Sequence, residues 1–425
     1  MQKTEPLPQT PPPTDALTQL NPERAGLCPD RLARITEHMQ RNYVEPGKIA
    51  GCLPLVYRRG ALAYCEPLGV SDLERQRPMS RDTLFRIYSM TKPITSVALL
   101  MLYEQGHFQL NDAVHRYIPA WRNLRVYRGG SWPRFLTEPV KRPMTIKDLF
   151  THMSGLTYGF MNRSMVDHAY RKAGIEGAST AAGSTLKEMV ETLAKIPLEF
   201  SPGERWNYSV STDVLGYLVE VISGMPFDEY LRTQIFEPLG MTDTSFTIAP
   251  EDVHRFAANY QRRPDKTLER IDDPENSSYA PPRTFFSGGG GLISSAHDYL
   301  RFCRMLQHGG ALDGTRILGR KTIELMTRNF LPNDDDLTRW ALGSFSETAN
   351  EGSGFGLGVS VNLGPARTGG VGSAGEFAWG GAASTVFWVD PAEELIVIFL
   401  TQLMPSATFN FRGQLKSLVY AAIVD

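Results

Sequence analysis

The chain has few cysteines and no pattern of metal ligands. Its 425 residues include four cysteines, Cys28, Cys52, Cys65 and Cys303, and no Cys-x-x-Cys string. So sparse a set predicts small buried side chains in a reducing compartment, and a Cys52–Cys65 disulfide across a hairpin is the less favoured alternative. No His-Glu-x-x-His string and no clustered carboxylates and histidines occur, so we expect neither a metal nor another cofactor.

Long apolar runs and a strong charge of one sign are also missing. The longest apolar stretch, VALLMLY over 97–103, is far shorter than the roughly 18 residues that span a membrane. The N-terminus lacks the apolar core of a signal peptide. The net charge of −2 favours neither nucleic acid nor an anionic membrane as a partner. We therefore expect a cytoplasmic protein that acts on a small molecule, in an unknown oligomeric state.

The composition is that of a globular protein, and the length exceeds what one core usually serves. Apolar residues make up 42% of the chain and charged residues 21%, so we expect a folded chain with two lobes. The patterns predict a Pro-rich arm over 1–26, a sheet domain from 27–106 and 275–425, and a mostly helical domain over 107–274. An active site would lie between the two domains, and the predicted fold class is α/β (α+β).

Apolar periodicity and turn residues predict the individual elements. A hairpin is expected around Arg58-Arg59-Gly60, and strands are expected in the C-terminal third. One helix follows Ser89 and ends at Gly106. The other predicted helices cover about 30–43, 146–153, 184–196, 211–224, 227–239, 297–310 and 412–424.

Two Ser-x-x-Lys strings occur, Ser89-Met-Thr-Lys92 and Ser184-Thr-Leu-Lys187. A chain of this length contains about one by chance, so only their surroundings can distinguish them. Ser184 precedes a helix that begins with capping-box spacing, and we interpret this string as a helix start with a solvated lysine.

The first string has a different setting, between a strand and a long apolar helix. Spacing of three places Ser89 and Lys92 on one helix face, beside an electropositive helix N-terminus. Burial would disfavour the charged form of Lys92, as a base at neutral pH requires, and serine needs such a neighbour to become nucleophilic. These features alone leave open a capping serine with a lysine that extends to solvent.

Ser-Met-Thr-Lys-Pro resembles the Ser-x-x-Lys motif of class C β-lactamases, penicillin-binding-protein-type peptidases and the related family VIII carboxylesterases. Further strings look like family landmarks in the same order: LFTHMSGLTYGF (149–160), ERWNYSVSTDVLGYLVEVISG (204–224), FSGGGGLISSAHDYLRF (286–302) and EFAWGGA (376–382). The resemblance runs from about residue 30 to the C-terminus. It implies a β-lactamase-like fold with an antiparallel sheet flanked by helices, with Ser89 as nucleophile and Lys92 as its activating partner.

The second and third family motifs depart from the β-lactamase pattern. Tyr208 matches the tyrosine of the second motif and is expected to act as second base or as acid for the leaving alcohol, while Val210 replaces the family's asparagine. Trp379-Gly380-Gly381 stands where β-lactamases and peptidases have Lys/His-Thr-Gly, as in the esterase branch. Losing that charged contact to a substrate carboxylate costs about 1.5–3 kcal/mol, so esters without a carboxylate are favoured.

The resemblance also implies an oxyanion hole made by the backbone N–H groups of Ser89 and Ala382. Aromatic residues near the motifs are candidates for substrate binding as well as for the core. With the two glycines of the third motif, these candidates are Tyr158, Phe160, Phe285, Trp379, Gly380 and Gly381. His152 is expected to have a structural role.

The function predicted from these residues is a serine esterase that hydrolyses short-chain carboxylic esters through an acyl-enzyme. No Gly-x-Ser-x-Gly string occurs, which argues against an α/β-hydrolase. The alternatives are an acyltransferase and an amide hydrolase of the β-lactamase or DD-peptidase type. Outside the enzymes, a non-catalytic binding member of the fold stays possible.

Overall fold

A computed structural model describes residues 19–177, 183–343 and 351–425. Most of the predicted Pro-rich arm, residues 1–18, lies outside these ranges. In chain order, the α-helices of the described residues are α1 Pro29–Met39, α2 Thr91–Glu104, α3 Ile146–Phe150, α4 Met165–Lys172, α5 Leu186–Leu193, α6 Ser211–Ser223, α7 Phe227–Leu231, α8 Glu237–Leu239, α9 Ala296–Gln307, α10 Arg320–Met326, α11 Leu337–Trp340, α12 Pro365–Thr368 and α13 Phe411–Tyr420. Each predicted helix is present, with ends that differ by a few residues.

Strands from both ends of the chain contribute to the main sheet. In chain order, the strands are β1 Gly51–Arg58, β2 Ala61–Cys65, β3 Leu68–Asp72, β4 Arg77–Pro78, β5 Phe85–Arg86, β6 Arg125–Ser131, β7 Arg134–Pro139, β8 Asn259–Arg262, β9 Leu268–Asp272, β10 Ile293–Ser294, β11 Ala311–Leu312, β12 Thr315–Arg316, β13 Ser353–Phe355, β14 Ser360–Asn362, β15 Phe377–Gly380, β16 Val386–Asp390, β17 Leu395–Thr401 and β18 Leu403–Met404.

Within the described ranges, nine strands form this sheet in the order β13-β14-β15-β16-β17-β1-β3-β4, with β2 paired to β1. Each of these pairings is antiparallel. At the centre, β1 and β17 pair from Cys52 opposite Thr401 to Arg58 opposite Leu395. The predicted antiparallel sheet flanked by helices is therefore confirmed.

The central strands are apolar at nearly every position because both faces of the sheet are covered. In β17, Ile396 and Ile398 belong to the inner core, while Val397 and Phe399 belong to the outer core. Successive side chains of a strand point to opposite faces, so a strand buried on both sides loses the usual apolar–polar alternation.

Helices cover the two faces differently. On the outer face, α1 and α13 pack against each other and supply the apolar residues Leu32, Ile35, Leu415 and Val419 to the outer core. On the inner face, α9 contacts β16 and β17, and α2 packs against α6. The helix that follows Ser89 is thereby held in the inner core, between the sheet and the helices of the middle of the chain.

The region predicted to be mostly helical contains two hairpins that the sequence patterns missed. Strands β6 and β7 pair with each other, with an irregularity between Tyr127 and Gly129. Strands β8 and β9 also pair, and β8 runs parallel to the remote β18. Glycines and exposed arginines interrupt apolar alternation in β6, so no strand pattern was visible there. The division into domains at 106 and 274 stays a prediction.

All four cysteines lie within the described ranges and carry free thiols. In the hairpin, Cys65 lies opposite Leu55, while Cys52 lies opposite Thr401 of β17, so the alternative disulfide is not formed. Of the helices in the described part of the chain, none has both the length and the apolarity needed to cross a membrane.

Candidate active site

Ser89 lies in a single 3-10 turn, Tyr88–Met90, directly before α2. Its neighbour Tyr88 has φ of 42°, a left-handed conformation uncommon for residues other than glycine. The first turn of α2 has no side-chain cap, so Ser89 does not act as the capping residue of this helix. Only 8% of Ser89 is exposed.

Lys92 and Tyr208 both reach the hydroxyl of Ser89. The Nζ of Lys92 donates to Ser89 Oγ over 3.2 Å, and the hydroxyl of Tyr208 donates to the same oxygen over 2.6 Å. Lys92 also donates to the carbonyl oxygen of Gly289 over 2.6 Å and lies 4.5 Å from the centre of the Tyr208 ring. A serine oxygen with two proton-carrying neighbours is the arrangement that nucleophilic catalysis requires.

Backbone hydrogen bonds hold the segment that carries Tyr208. The N–H of Asn207 donates to the carbonyl of His152 over 2.9 Å, and that of Val210 donates to the carbonyl of Thr157 over 3.2 Å. The side-chain amide of Asn207 donates to the carbonyl of Leu156 over 2.9 Å. Residues 149–160 therefore hold the segment of Tyr208 in place just before α6 begins.

His152 belongs to this supporting segment, and its ring centre lies 5.0 Å from that of Tyr208. It is fully buried, and its Nδ1 lies 3.2 Å from the hydroxyl oxygen of Ser209. Burial, reinforced by the positive charge of Lys92, holds the pKa of His152 well below its usual value. His152 is thus neutral and contacts the ring of Tyr208 edge-on, in keeping with the structural role expected for it.

The cavity beside Ser89 has a volume of about 720 Å³. Its lining residues come from several separate segments: Tyr88, Ser89, Tyr158, Phe160, Met161, Asn162, Arg171, Glu176, Gly177, Tyr208, Gly289, Gly290, Ala382, Met404, Pro405, Ser406 and Ala407. Two predicted pocket residues, Tyr158 and Phe160, stack with 4.7 Å between ring centres, and Phe160 is 58% exposed. Ser89 and Ala382, which would form the oxyanion hole, both border this cavity.

Trp379 does not form a wall of the cavity, contrary to our expectation. It is fully buried and packs 5.7 Å from the ring of Tyr208 and 5.3 Å from that of Phe355. Side chains of β15 alternate between the faces of the sheet, and Trp379, like Phe377, belongs to the inner core, while Ala378 packs against the outer core. Phe285 is likewise a buried residue of the inner core and does not line the cavity.

Gly380 and Gly381 also stay away from the cavity surface, and the structure gives Gly381 a different role. A Cβ on Gly381 would lie 2.5 Å from the carbonyl oxygen of Ile87, two residues before Ser89. Glycine therefore lets the turn after β15 approach the segment of the nucleophile closely. This approach, and not substrate contact, brings Ala382 beside Ser89.

Sequence reasoning missed Asp213, a buried carboxylate near Lys92. It lies in α6 and accepts hydrogen bonds from the hydroxyl of Ser287 over 2.5 Å and from the N–H of Gly289 over 3.0 Å. The visible signal was an acidic residue near the start of α6, followed far along the chain by four consecutive glycines. Only the fold places these two features together.

The fold and the site define a serine hydrolase of the β-lactamase fold. A family model described as beta-lactamase matches residues 36–421, and the chain belongs to this family.

The relatives of this chain include both hydrolases and acyltransferases. The chain is 34% identical over 372 residues to esterase EstB of Burkholderia gladioli, with 83% of this chain and 86% of the esterase covered. It is 26% identical over 365 residues to ML-236A carboxylate methylbutanoyltransferase mlcH of Penicillium citrinum, with 81% and 83% covered. The solved structure of EstCE1, a hydrolase with promiscuous acyltransferase activity, matches with a TM-score of 0.77 at 26% identity. That match covers 92% of this chain and 99% of EstCE1.

Proposed function

We propose that this protein is a carboxylesterase that hydrolyses short-chain esters through an acyl-enzyme on Ser89. The observation that carries this proposal is the pair of hydrogen bonds that Lys92 and Tyr208 donate to Ser89 Oγ at the edge of an apolar cavity. A hydroxyl oxygen in contact with two groups able to exchange a proton can attack a carbonyl carbon.

The reaction has two steps. Ser89 Oγ attacks the ester carbonyl while its proton passes to the Lys92/Tyr208 pair, and the oxyanion is held by the N–H groups of Ser89 and Ala382. The intermediate collapses, the C–O bond to the alcohol breaks, and the alcohol leaves with a proton delivered through Tyr208. Water then attacks the acyl carbon and gives a proton to the same pair. The bond between Ser89 Oγ and the acyl carbon breaks, Ser89 Oγ takes that proton back, and the carboxylic acid is released. Because Lys92 and Tyr208 interact closely, they titrate as one coupled system.

The lining of the cavity favours neutral esters over β-lactams. The third motif supplies no lysine for a substrate carboxylate, since Trp379 stands at that position and its side chain lies in the inner core. The charged side chains that border the cavity are Glu176 and Arg171, and Arg171 is paired with Asp167. Aromatic and aliphatic side chains, among them Tyr158, Phe160 and Met404, border the space beside Ser89. A cavity of this size lies within the range of small-molecule sites and can hold the acyl and alcohol parts together.

Acyl transfer to a second alcohol is the other candidate function. It uses the same acyl-enzyme and differs only in whether water or an alcohol attacks. The observation that favours it is the similarity to a methylbutanoyltransferase and to EstCE1, a hydrolase with promiscuous acyltransferase activity.

Hydrolysis of p-nitrophenyl butyrate, with nitrocefin assayed in parallel, tests the proposal. We expect ester turnover by the wild-type protein, little cleavage of nitrocefin, and loss of ester turnover in Ser89→Ala. Adding an alcohol such as butanol and analysing the products separates the two candidates, since a transferase forms butyl butyrate in preference to butyrate. Efficient nitrocefin turnover would replace the esterase proposal by a β-lactamase, and full ester turnover by Ser89→Ala would refute the mechanism.

A further inference from the structure

Asp213 is a buried carboxylate to which the proposed reaction gives no role. It lies in α6, five residues after Tyr208, and is fully buried. One carboxylate oxygen, Oδ1, accepts the hydrogen bonds from Ser287 and from the N–H of Gly289. The other oxygen, Oδ2, has no hydrogen-bond partner among the described residues. A buried carboxylate in this state is costly unless a nearby charge or dipole compensates it.

The residues that Asp213 contacts belong to the 287–292 loop, which lies between α2 and α6. On the α2 side, the hydroxyl of Thr95 donates to the carbonyl of Gly288 over 2.8 Å, and the N–H of Leu292 donates to the hydroxyl of Thr91 over 3.2 Å. On the α6 side, Asp213 holds Gly289 through its N–H. The loop is therefore fixed from both helices.

Gly289 links Asp213 to Lys92. Its N–H donates to Asp213, and its carbonyl oxygen accepts the hydrogen bond from Lys92 Nζ over 2.6 Å. A Cβ at this position would lie 2.7 Å from Asp213 Oδ2 and 2.8 Å from the hydroxyl oxygen of Tyr158. The approach of the loop to Asp213 thus requires a glycine, and it determines where the carbonyl that faces Lys92 lies.

The positive charge of Lys92 also acts on Asp213. Water screens this interaction little, because Lys92 is only 1% exposed and Asp213 is fully buried. Burial holds the pKa of Asp213 above its usual value, although the hydrogen bond from Ser287, the positive charge of Lys92 and the N–H of Gly289 oppose this rise. The other titratable groups near Lys92 are the phenols of Tyr158 and Tyr208 and the imidazole of His152. His152 is neutral, so among these groups Asp213 is the carboxyl group whose ionised form carries a negative charge opposite in sign to a protonated Lys92.

We propose that Asp213 is a positioning residue that orients the Gly289 carbonyl toward Lys92 and, as a buried carboxylate, sets the protonation of the Lys92/Tyr208 pair. This inference rests on the proposed acyl transfer at Ser89. A negative charge beside the pair opposes loss of a proton from either Lys92 or Tyr208. Its removal therefore favours deprotonation, whichever of the two is the primary base.

The substitution that separates charge from shape is Asp213→Asn. Asparagine keeps a carbonyl oxygen that can accept from Ser287 and Gly289, but it carries no charge. The rise of activity with pH follows the pair as it becomes deprotonated, so we expect its midpoint to move to lower pH by about one unit. Thr95→Val is the matched control, because it removes a hydrogen bond to the same loop without changing any charge. We expect a lower rate with an unchanged midpoint.

The measurement is the rate at which a fluorophosphonate probe modifies Ser89 between pH 5 and pH 10, with kcat/KM for p-nitrophenyl butyrate over the same range. Probe labelling requires an activated Ser89 but no ester turnover. Labelling without turnover would therefore refute the esterase proposal and still test Asp213. No labelling of the wild-type protein would refute the acyl transfer and this inference with it.

Two results would overturn the inference directly. A midpoint in Asp213→Asn equal to that of the wild-type protein would show that the carboxylate does not influence the pair. Equal shifts in Asp213→Asn and Thr95→Val would assign the effect to loop geometry and not to charge. Thermal unfolding establishes that each variant is folded, and Asp213→Ser, a smaller uncharged side chain, replaces Asp213→Asn in the same comparison if the asparagine variant does not fold.

Discussion

The two Ser-x-x-Lys strings share a spacing and differ in everything that surrounds them. Ser89 and Lys92 are buried at the start of α2, and both contact residues from remote parts of the chain. Lys187 is 66% exposed and lies 3.9 Å from Glu191, one turn further along α5. In this second string Thr185 caps the helix, so the interpretation of it as an ordinary helix start is confirmed.

The difference shows that spacing brings a serine and a lysine together without making them reactive. On any helix, residues three apart lie on one face. The first string contacts Tyr208, which lies 119 residues from Ser89 in the chain, and the carbonyl of Gly289. The reaction proposed above depends on these remote contacts. At the second string, water competes for the lysine and weakens its charge interactions.

The largest expected effect comes from removing the two serines in turn. We expect Ser89→Ala to lower kcat/KM for p-nitrophenyl butyrate by about 10⁴-fold or more, because the covalent route is lost. Ser184→Ala is the matched control and should leave kcat/KM within about twofold. Similar losses in the two variants would contradict the assignment of Ser89.

Replacing the lysine of each string tests whether Lys92, and not Lys187, takes part in proton transfer. We expect Lys92→Met to lower kcat by about 10²–10⁴-fold, the range for a positioned acid–base group. The same change also leaves Asp213 without its counter-charge and should lower the thermal unfolding temperature. Lys187→Met should leave kcat unchanged. A Lys92→Met protein with wild-type kcat would exclude Lys92 from proton transfer.

Removing the cap of α5 should have a smaller effect, which lowers stability but leaves activity unchanged. The hydroxyl of Thr185 accepts from the N–H of Glu188, and Glu188 bonds back to Thr185. We expect Thr185→Ala to lower the free energy of unfolding by about 1 kcal/mol, measured by urea denaturation, with unchanged kcat/KM. Thr185→Ser retains the cap and serves as the control. A loss of activity without a loss of stability would mean that this segment contributes to the site.

The smallest effect should come from the exposed ion pair of the second string. Both partners, Lys187 and Glu191, are more than half exposed. Such pairs stabilise a helix by about 0.3–0.5 kcal/mol, and salt screens them. We expect Glu191→Gln to change the free energy of unfolding by no more than this, with the difference disappearing in about 1 M NaCl. A change above 1 kcal/mol would contradict the solvated interpretation of Lys187.

The motifs predicted which side chains meet at the site better than they predicted which side chains line the cavity. The Ser89, Lys92 and Tyr208 side chains meet as the resemblance implied, because each stands in a string that keeps its order and context. Trp379 was wrongly placed in the wall, since a motif gives no direction for a side chain. Side chains alternate between the two faces along its strand, so Ala378 faces the outer core and Trp379 faces the inner core.

The amino-acid sequence by itself determined the predicted helices and the strands of the C-terminal third, but not the hairpins β6–β7 and β8–β9. Apolar periodicity specified α1 and α6, the capping pattern specified α5, and the apolar run of β17 indicated a strand. These signals come from residues close together in the chain, because residues that share one face of a helix or strand recur with the period of that element.

Only the tertiary structure decided which remote residues meet. The contact of Asp213 with Gly289 joins residues 76 positions apart, and the cavity gathers segments from both halves of the chain. No periodicity of nearby residues predicts such contacts, because they depend on how α2, α6 and the sheet pack together.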